Sequence, residues 1–337
     1  MSTVVLTIDP REPQAAVIEQ AAAVLRRGGL VAFPTETVYG LGADALNADA
    51  VHGIFAAKGR PANNPVIVHV NDVAAARELT TAWPETAARC AARWWPGPLT
   101  LVLPKAAHVP SVVTAGGPTV AIRVPAHPVA RALIAATGRP LAAPSANPSL
   151  RVSATLAEHV VHGLNGRVEM VLDGGPTRDG LESTVVDLSG PTPRVLRPGP
   201  ISLDELREVL GPELDTLELQ TSAESGALPS PGLLKKHYSP TVPLRLTDDD
   251  GAKLVESLAA PGRKIGWLPL GETAPPHDTT QIICLPLPRE SAEYARRLYA
   301  TLHTCERSGV AEIVVQRPPT GPAWSAVHDR LSRAAAT

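Results

Sequence analysis

Short apolar runs alternate with amphipathic stretches over residues 1–210, and this alternation restricts the possible fold more than any other feature. Apolar residues spaced at the helical period predict helices, and short apolar runs bounded by turn residues predict buried strands. The predicted helices cover residues 15–27, 51–57, 86–94, 128–137, 156–161 and 203–209. The predicted strands cover residues 30–33, 66–70, 100–103, 119–124, 141–143, 170–172 and 183–188. This order predicts one α/β domain with a sizeable mixed sheet.

The periodic pattern stops near Gly211 and resumes after Pro243, which predicts a linker over residues 211–243. Its Ser, Gly and Pro residues are typical of a linker, although the run LLKKHYSP also carries basic and aromatic groups. A second α/β pattern follows, with strands predicted at 264–268, 281–285 and 312–316 and helices at 291–308 and 323–335. It predicts a small Rossmann-like domain of parallel strands, without the GxGxxG motif that would support a dinucleotide site.

The overall charge excludes a protein that binds polyanions through its whole surface, because 31 basic and 33 acidic residues give a net charge of −2. Apolar residues make up 44% of the chain and charged residues 19%, which excludes a disordered chain. No apolar run is long enough to predict a membrane span, and the first residues do not resemble a secretory signal. Three widely spaced cysteines form no disulfide or zinc pattern, so we expect a reducing cytoplasm.

The even overall balance conceals a local excess of positive charge. No acidic residue occurs between Glu85 and Glu158, whereas seven basic residues do: Arg89, Arg93, Lys105, Arg123, Arg131, Arg139 and Arg151. If several of them converge, they favour a small anionic ligand or a groove for RNA. About half of them could equally lie on separate solvated faces. Aromatic residues are only 3% of the chain, which argues against a platform for base stacking.

Five polar segments lie beside predicted strands, where α/β proteins commonly bind ligands. They are PTETVYGLG at 34–42, KGRPANNPVIVHV at 58–70, APSANPSLRVSAT at 143–155, GGPTRDGLESTVVDL at 174–188 and RVLRPGP at 194–200. Their hydroxyl groups, cations and backbone N–H groups could hold phosphate or ribose, but each segment alone could equally be an ordinary turn. The sequence has no P-loop and no GxSxG motif, so any ATP must be held by other groups.

Seven motifs occur in one order between Phe33 and Pro200: PTETVYGLG, KGRPANNPVIVHV, WWPGPLTLVL, TAGGPTVAIRVPAHP, APSAN, GLESTVVDL and LRPGP. This combination resembles the threonylcarbamoyl-AMP synthase family, also called YrdC-type proteins. The PGLLKKHYSP linker and the second domain resemble the long, two-domain form, so the resemblance covers nearly the whole chain. It implies a YrdC-like twisted mixed sheet with helices at 1–210, a lid-like linker at 211–243 and a smaller Rossmann-like α/β domain at 244–337.

The resemblance also implies an enzyme, a nucleotidyltransferase that acts as an L-threonylcarbamoyladenylate synthase. The family's reaction joins L-threonine, bicarbonate and ATP into threonylcarbamoyl-AMP and releases pyrophosphate. A threonylcarbamoyl transferase then uses this product to modify an adenosine in tRNA. The implied cofactor is Mg²⁺, carried by ATP rather than by protein ligands. The alternative function is an RNA-binding module without catalysis, and weak RNA binding is also compatible with the enzyme.

By this resemblance, five positions hold threonine: Thr37, His69, Arg123, Ala143 and Ser183. Arg123 is expected to pair with the carboxylate of the amino acid as a fork. Six positions are expected to contact ATP: Arg60, Asn64, Thr119, Ser145, Ser153 and Arg197.

The resemblance further implies that two short motifs act at the phosphates of ATP. Lys58 and Arg60 form a K-x-R pair, and Ser145 and Asn147 form an S-x-N pair, so these four are the expected catalytic residues. Tyr238 is expected in the lid. Leu150 departs from the family pattern, in which Gly is common at this position.

Overall fold

The computed structural model describes residues 2–216, 236–273 and 280–336, and these residues form two units. The first unit lies within Met1–Ser149 and Ser153–Leu234, and the second lies within Leu150–Val152 and Lys235–Thr337. Residues 217–235, which are most of the predicted linker, lie outside the described residues. The linker over 211–243 therefore stays a prediction.

One mixed sheet carries the described strands of the first unit. They are β1 (Val4–Thr7), β2 (Val31–Pro34), β3 (Tyr39–Asp44), β4 (Ile67–His69), β5 (Leu99–Pro104), β6 (Thr119–Arg123), β7 (Leu141–Ala142), β8 (Met170–Asp173), β9 (Thr184–Asp187), β10 (Arg194–Arg197) and β11 (Asp215–Thr216). Their order across the sheet is β1-β8-β2-β3-β7-β4-β6-β5-β9-β10-β11, with parallel and antiparallel neighbours. The predicted mixed α/β sheet is confirmed.

Helices pack on both faces of this sheet. They are α1 (Ala15–Arg26), α2 (Ala48–Lys58), α3 (Val73–Glu78), α4 (Glu85–Trp94), α5 (Pro128–Thr137), α6 (Ala157–Leu164) and α7 (Leu203–Leu210). Phe33 of β2 belongs to the core cluster that contains Leu25 of α1 and Leu133 of α5. Ala32, the preceding residue, belongs to a different cluster, which contains Ile54 of α2. Because neighbouring strand residues point to opposite faces, the sheet is buried on both sides and its strands form nearly continuous apolar runs.

Helix α2 has start and stop residues that fix the place of Lys58. Asn47 caps its N-terminus by accepting hydrogen bonds from the N–H groups of Asp49 and Ala50. Gly59 ends the helix in the left-handed region, with a φ of 61° that glycine adopts without a Cβ penalty. Lys58 is therefore the last helical residue, and its side chain starts from a defined position.

The segment 34–42 lies outside the predicted strands, but its second half belongs to strand β3. Strand β3 pairs antiparallel with β2, which leaves a short connection between them. All six residues of β3 are buried, so the alternation of polar and apolar residues that would reveal a strand is absent. The edge strand β1 and the six-residue helix α3 also lie outside the predicted elements.

The second unit has its own sheet, formed by β12 (Leu244–Thr247), β13 (Ile265–Leu268), β14 (Ile282–Cys284) and β15 (Glu312–Gln316). The strand order is β12-β15-β13-β14, and all neighbouring pairs are parallel. Its helices are α8 (Ala252–Leu258), α9 (Ser291–Arg307) and α10 (Ser325–Ala334). The small domain of parallel strands is confirmed, although β12 and α8 lie outside the predicted elements. Across the described parts of both units, no helix is long and apolar enough to cross a membrane.

Candidate active site

The connection between β2 and β3 is a buried turn held by one threonine. The Oγ1 of Thr35 accepts hydrogen bonds from the N–H groups of Thr37 (3.2 Å) and Val38 (3.2 Å). The same hydroxyl donates to the carbonyl of Val38 at 2.6 Å. Local bonds of this kind fix a turn without help from a strand partner. The turn therefore presents the side chains of Glu36 and Thr37 in one defined orientation.

Arg123, at the end of β6, binds this turn through its guanidinium group. Its Nη2 lies 2.7 Å from Oε1 of Glu36, and its Nη1 donates to Oγ1 of Thr37 at 2.8 Å. Its Nε donates to the carbonyl of Gly97 at 3.1 Å. Arg123 and Glu36 are each 3% exposed, so this ion pair is buried. Burial raises the pKa of Glu36, but the charge of Arg123 and its hydrogen bond outweigh that effect and leave the pKa below its ordinary value.

His69 ends β4 and stands directly opposite Arg123 in the parallel pairing of β4 with β6. It is 3% exposed, and its Nδ1 has no hydrogen-bond partner among the described residues. Burial, and next the charge of Arg123, lower the pKa of His69 to about 3. The imidazole is therefore neutral at physiological pH, with a buried polar atom beside Arg123.

Ser183, just before β9, joins two further polar groups. Its Oγ lies 2.7 Å from Oγ1 of Thr100, and its carbonyl accepts hydrogen bonds from Nε (3.1 Å) and Nη2 (2.9 Å) of Arg197. Nη2 also lies 3.1 Å from the Oγ of Ser183. A residue predicted to bind threonine and one predicted to bind ATP are thus in direct contact.

The remaining contacts link the predicted threonine residues across neighbouring strands. Ala143, after β7, donates its N–H to the carbonyl of Ile67 in β4 at 2.9 Å. The carbonyl of Gly97 accepts a hydrogen bond from Arg123. The carbonyl of the next residue, Pro98, accepts a hydrogen bond from the N–H of Thr184 at 2.9 Å. The sheet therefore connects all five predicted threonine residues through adjacent strands or single shared segments.

The K-x-R segment is folded back on itself at Arg60. Nε of Arg60 donates to the carbonyl of Asn64 at 3.0 Å, and Nη2 donates to Oδ1 of Asn64 at 2.6 Å. Nη2 also donates to the carbonyl of Pro65 at 2.6 Å. Nδ2 of Asn64 is buried without a hydrogen-bond partner among the described residues. Arg60 and Asn64, both predicted at ATP, therefore form one buried group with polar capacity left over.

Lys58 contacts the S-x-N segment from the end of α2. Its Nζ donates to the carbonyl of Ser145 at 2.5 Å and to the carbonyl of Asn147. Lys58 is 3% exposed. The structure therefore brings Lys58, Ser145 and Asn147 together, which are three of the four expected catalytic residues. Lys58 takes part through its side chain, and Ser145 and Asn147 take part through their backbone carbonyls.

Ser153 contributes a contact with a carboxylate. Its Oγ donates to Oε1 of Glu182 at 2.5 Å, and both residues are buried. Glu182 directly precedes Ser183, so this contact places a predicted ATP residue one position from a predicted threonine residue.

Thr119 lines a cavity of about 240 Å³. Its lining also includes Pro65, which follows Asn64, and the polar residues Asp187, the last residue of β9, and Ser189. Asp187 Oδ1 accepts hydrogen bonds from the N–H (2.9 Å) and the Oγ (2.6 Å) of Ser189, so these two residues are joined to each other. Two predicted ATP residues, Asn64 and Thr119, therefore lie at or next to one cavity of the first unit.

The seven basic residues of the acid-free stretch differ in their burial. Arg123 is buried, whereas four of the others are exposed: Arg89, Arg93, Arg139 and Arg151. Arg89 and Arg93 lie on α4, Arg139 follows α5, and Arg151 belongs to the second unit. Four exposed residues of seven agree with the expectation that about half of them are solvated.

Tyr238, expected in the lid, belongs to the second unit. Its φ of 58° lies in the left-handed region, and its ring stacks on Tyr299 with the centroids 6.0 Å apart. The guanidinium of Arg330 lies 5.0 Å from the centre of the same ring, a cation–π distance. Leu150 in this unit also has a positive φ of 69°, a conformation that glycine adopts freely. The lid role of Tyr238 stays a prediction.

Three side chains take part in the site although they are not among the predicted site residues: Glu36, Thr100 and Glu182. Each lies within one of the seven motifs, and Glu36 carries the clearest sign of a role. A carboxylate in a segment that is expected to be buried needs a charged or hydrogen-bonding partner, because an unpaired buried charge is costly. Its partner Arg123 is distant in sequence, so only the folded chain identifies the pair.

Two family models match the chain one after the other. The Sua5/YciO/YrdC model, described as "Telomere recombination", matches residues 23–199. The model described as "Threonylcarbamoyl-AMP synthase, C-terminal domain" matches residues 201–336.

Similar proteins match over nearly the whole length. The threonylcarbamoyl-AMP synthase of Bacillus subtilis is 42% identical over 332 residues, which cover 97% of this chain and 94% of that protein. The synthase of Pyrococcus abyssi is 42% identical over 324 residues, which cover 94% and 93%. The crystal structure of P. abyssi Sua5 complexed with L-threonine matches with a TM-score of 0.91 and 39% identity, and covers 99% of this chain and 98% of that chain.

Proposed function

The chain belongs to the threonylcarbamoyl-AMP synthase family in its two-domain form, and we propose that its first unit makes threonylcarbamoyl-AMP from L-threonine, bicarbonate and ATP. It is an enzyme of the nucleotidyltransferase type. One contact carries the proposal for the site: Arg197, predicted at ATP, donates two hydrogen bonds to the carbonyl of Ser183, predicted at threonine. Two substrates held by residues in direct contact are positioned to react with each other.

Threonine is assigned to the strand ends around Arg123. The P. abyssi relative is complexed with L-threonine, which supports this amino acid as the substrate. Arg123 carries a permanent charge and five N–H donors, so it suits the carboxylate of an amino acid. Neutral His69, with its unpartnered Nδ1, suits a hydrogen bond to the amino group or the hydroxyl of the same molecule.

ATP is assigned to the side of the site that carries Arg60, Asn64, Ser145, Ser153 and Arg197. The cavity at Thr119 extends this side and offers room for part of the nucleoside. Arginine and hydroxyl groups are suitable donors for phosphate oxygens. Lys58 and Asn147 support Ser145, because the ammonium of Lys58 donates hydrogen bonds to the carbonyls of Ser145 and Asn147.

The proposed chemistry needs positioning and charge stabilisation rather than a protein nucleophile. The ammonium group of threonine first releases one proton to solvent. The resulting amine forms a bond to the carbon of bicarbonate, the C–OH bond of bicarbonate breaks, and the products are a carbamate and one water molecule. An oxygen of the carbamate then forms a bond to the α-phosphorus, and the bond from that phosphorus to pyrophosphate breaks. Buried arginines offset the negative charge that collects on the phosphate oxygens.

Mg²⁺ is assigned to the triphosphate rather than to a protein cage. Mg²⁺ in nucleotide sites usually keeps several waters and binds one or two carboxylates plus substrate phosphates. Glu182, beside Ser153, is a buried carboxylate that fits this limited role. The described residues contain no group of three or more His, Cys, Asp or Glu side chains that could hold a metal ion. When bound, the ion would neutralise charge on the phosphate oxygens.

The product is assigned to a threonylcarbamoyl transferase that acts on tRNA, and the cytoplasm is the proposed location. The free state of Cys90, Cys284 and Cys305 supports a reducing compartment. An RNA-binding module without catalysis is less favoured, because Arg123 is buried against Glu36 and is therefore not exposed to an RNA groove.

The activity is tested by incubating the full chain with ATP, Mg²⁺ and bicarbonate, with and without L-threonine. We expect release of pyrophosphate that depends on threonine, with threonylcarbamoyl-AMP identified by mass spectrometry. L-serine and L-valine serve as matched substrates that lack the methyl group or the hydroxyl group of threonine. Absence of threonine-dependent pyrophosphate, in parallel with an active relative, would refute the proposal.

A further inference from the structure

Lys58 turns its ammonium group into the loop of residues 143–149. Nζ donates to the carbonyls of Ser145 (2.5 Å) and Asn147. The backbone carbonyl of Lys58 accepts a further hydrogen bond from the N–H of Ser149 at 2.7 Å. One buried residue thus makes three hydrogen bonds to the loop, all of them to its backbone.

The other side of this loop is held by β3. Two backbone hydrogen bonds of 2.7 Å join β3 to the carbonyl of Pro144 and to the N–H of Ala146. Successive carbonyls of an extended chain point in opposite directions. Ser145 forms a single bridge with Gly40 and lies between these two bonded residues, so its carbonyl points away from β3 and needs a donor from elsewhere. The ammonium of Lys58 donates to this carbonyl and to that of Asn147, from a helix end fixed by Gly59.

We infer that Lys58 is a positioning residue that braces the 143–149 loop, rather than a group that binds phosphate directly. This inference rests on the proposed function for the identity of the two substrates. The loop carries Ala143, assigned to threonine, and Ser145, assigned to ATP. One brace therefore sets the place of both substrates relative to each other, which is the property that the proposed reaction most depends on.

Lys58 stabilises the loop mainly through the hydrogen bonds of its N–H groups and less through its positive charge. Burial, and next the charge of Arg60, hold the pKa of Lys58 well below its ordinary value, and Glu182 opposes this only in part. A neutral amine still donates two hydrogen bonds, so the brace survives loss of the proton. Attraction for a phosphate group would not survive it.

The two roles predict different patterns of binding. Loss of a brace displaces the whole loop, so affinity for threonine and for nucleotide should fall together, and ATP and AMP should be affected equally. Loss of a phosphate ligand should weaken ATP more than AMP and leave threonine unchanged.

The test compares Lys58→Met with Lys105→Met. Lys105 is a matched control, because its Nζ also donates to a loop carbonyl, that of Val109 at 3.2 Å, but outside the 143–149 loop. Calorimetric titration measures the Kd of each full-length variant for L-threonine, for ATP and for AMP. For Lys58→Met we expect Kd to rise about tenfold for all three ligands, with the ATP-to-AMP ratio kept, and no change for Lys105→Met. An unchanged Kd for threonine with a reduced preference for ATP over AMP would overturn the inference.

Two further measurements keep the test decisive. Hydrogen exchange should become faster in a peptide that spans residues 143–149 of Lys58→Met but not of Lys105→Met, and unchanged exchange would contradict the brace. This readout needs no substrate, so it stands even where the wild-type chain binds neither threonine nor ATP and the proposed function fails. If Lys58→Met does not fold, Lys58→Arg replaces it. A guanidinium keeps a phosphate ligand but displaces the two carbonyls, so the brace predicts weaker threonine binding, and unchanged threonine binding would overturn it.

Discussion

Arg123 and Lys58 are both buried cations of the first unit, but the structure compensates their charges in different ways. Arg123 lies 2.7 Å from the carboxylate of Glu36, so its charge is balanced by an opposite charge. Lys58 binds two backbone carbonyls, which supply dipoles but no counter-charge in direct contact. A balanced guanidinium keeps its charge in the interior, whereas a lysine held only by dipoles loses its proton more easily. The comparison assigns ionic recognition to Arg123 and hydrogen bonding to Lys58.

The largest effect is expected from Arg123→Ala. The variant should raise the KM for threonine about 100-fold, because charge-assisted hydrogen bonds to a carboxylate are lost. It should change the KM for ATP little, because the hydrogen bonds of Arg123 go to the turn and to Gly97 rather than to the ATP-assigned residues. Steady-state kinetics with each substrate varied in turn measures both constants. Equal loss of both affinities in a folded variant would contradict the assignment.

Loss of Arg123 also leaves Glu36 buried without its partner, so a stability control is needed. The double substitution Arg123→Met with Glu36→Gln removes both charges and should restore much of the melting temperature. The high KM for threonine should remain in this double variant. Recovery of threonine affinity together with stability would show that the single variant acted through folding alone.

The second prediction removes only the counter-charge, by Glu36→Gln. At pH 7 the free energy of unfolding should fall by about 3 kcal/mol, because Arg123 becomes a buried charge without an ionic partner. The folded-state pKa of Glu36 is lowered, so its stabilisation is present above the unfolded value and is lost as the pH falls through the folded value. Urea unfolding should therefore show the gap between wild type and variant narrowing below about pH 4. A gap that stays constant with pH would refute the role of this ion pair.

The last prediction concerns the alkaline end of the pH range and Lys58. Its folded-state pKa is lowered, so between that value and the unfolded value the unfolded chain binds more protons, and stability rises with pH. The stability of wild type relative to Lys58→Met should therefore increase from pH 7 to about pH 10, the ordinary range of lysine titration. Urea unfolding at several pH values measures it, with Lys105→Met as the control. If the stability of wild type relative to Lys58→Met instead falls over this range, the folded protein stabilises the charged form of Lys58, and the prediction is wrong.

Local pattern predicted most of the elements but not all of them. The helix predicted at 128–137 is observed as α5 (Pro128–Thr137), because a proline at its start and Gly138 after its end mark both boundaries. Strand β3 escaped prediction, because a strand buried on both faces lacks the alternation that distinguishes it from a loop with glycines. Elements with strong end residues are thus easier to predict than buried, irregularly composed ones.

The candidate site was also predicted only in part from the sequence. The order of motifs identified the segments that contain Arg123, Ser183 and Arg197, and the sheet joins these segments through shared contacts. The run of basic residues did not by itself identify the site, because Arg123 is buried whereas Arg89, Arg93, Arg139 and Arg151 are exposed.

By itself, the sequence determined the two α/β patterns, the family and the segments in which the candidate site residues lie. Only the tertiary structure decided that Arg123 pairs with Glu36 and that Lys58 binds the backbone of the 143–149 loop. Secondary structure follows from local spacing, which a sequence displays directly. The partner of a buried charge depends on which distant strands become neighbours, and the cost of leaving such a charge unpaired selects that partner only after the chain has folded.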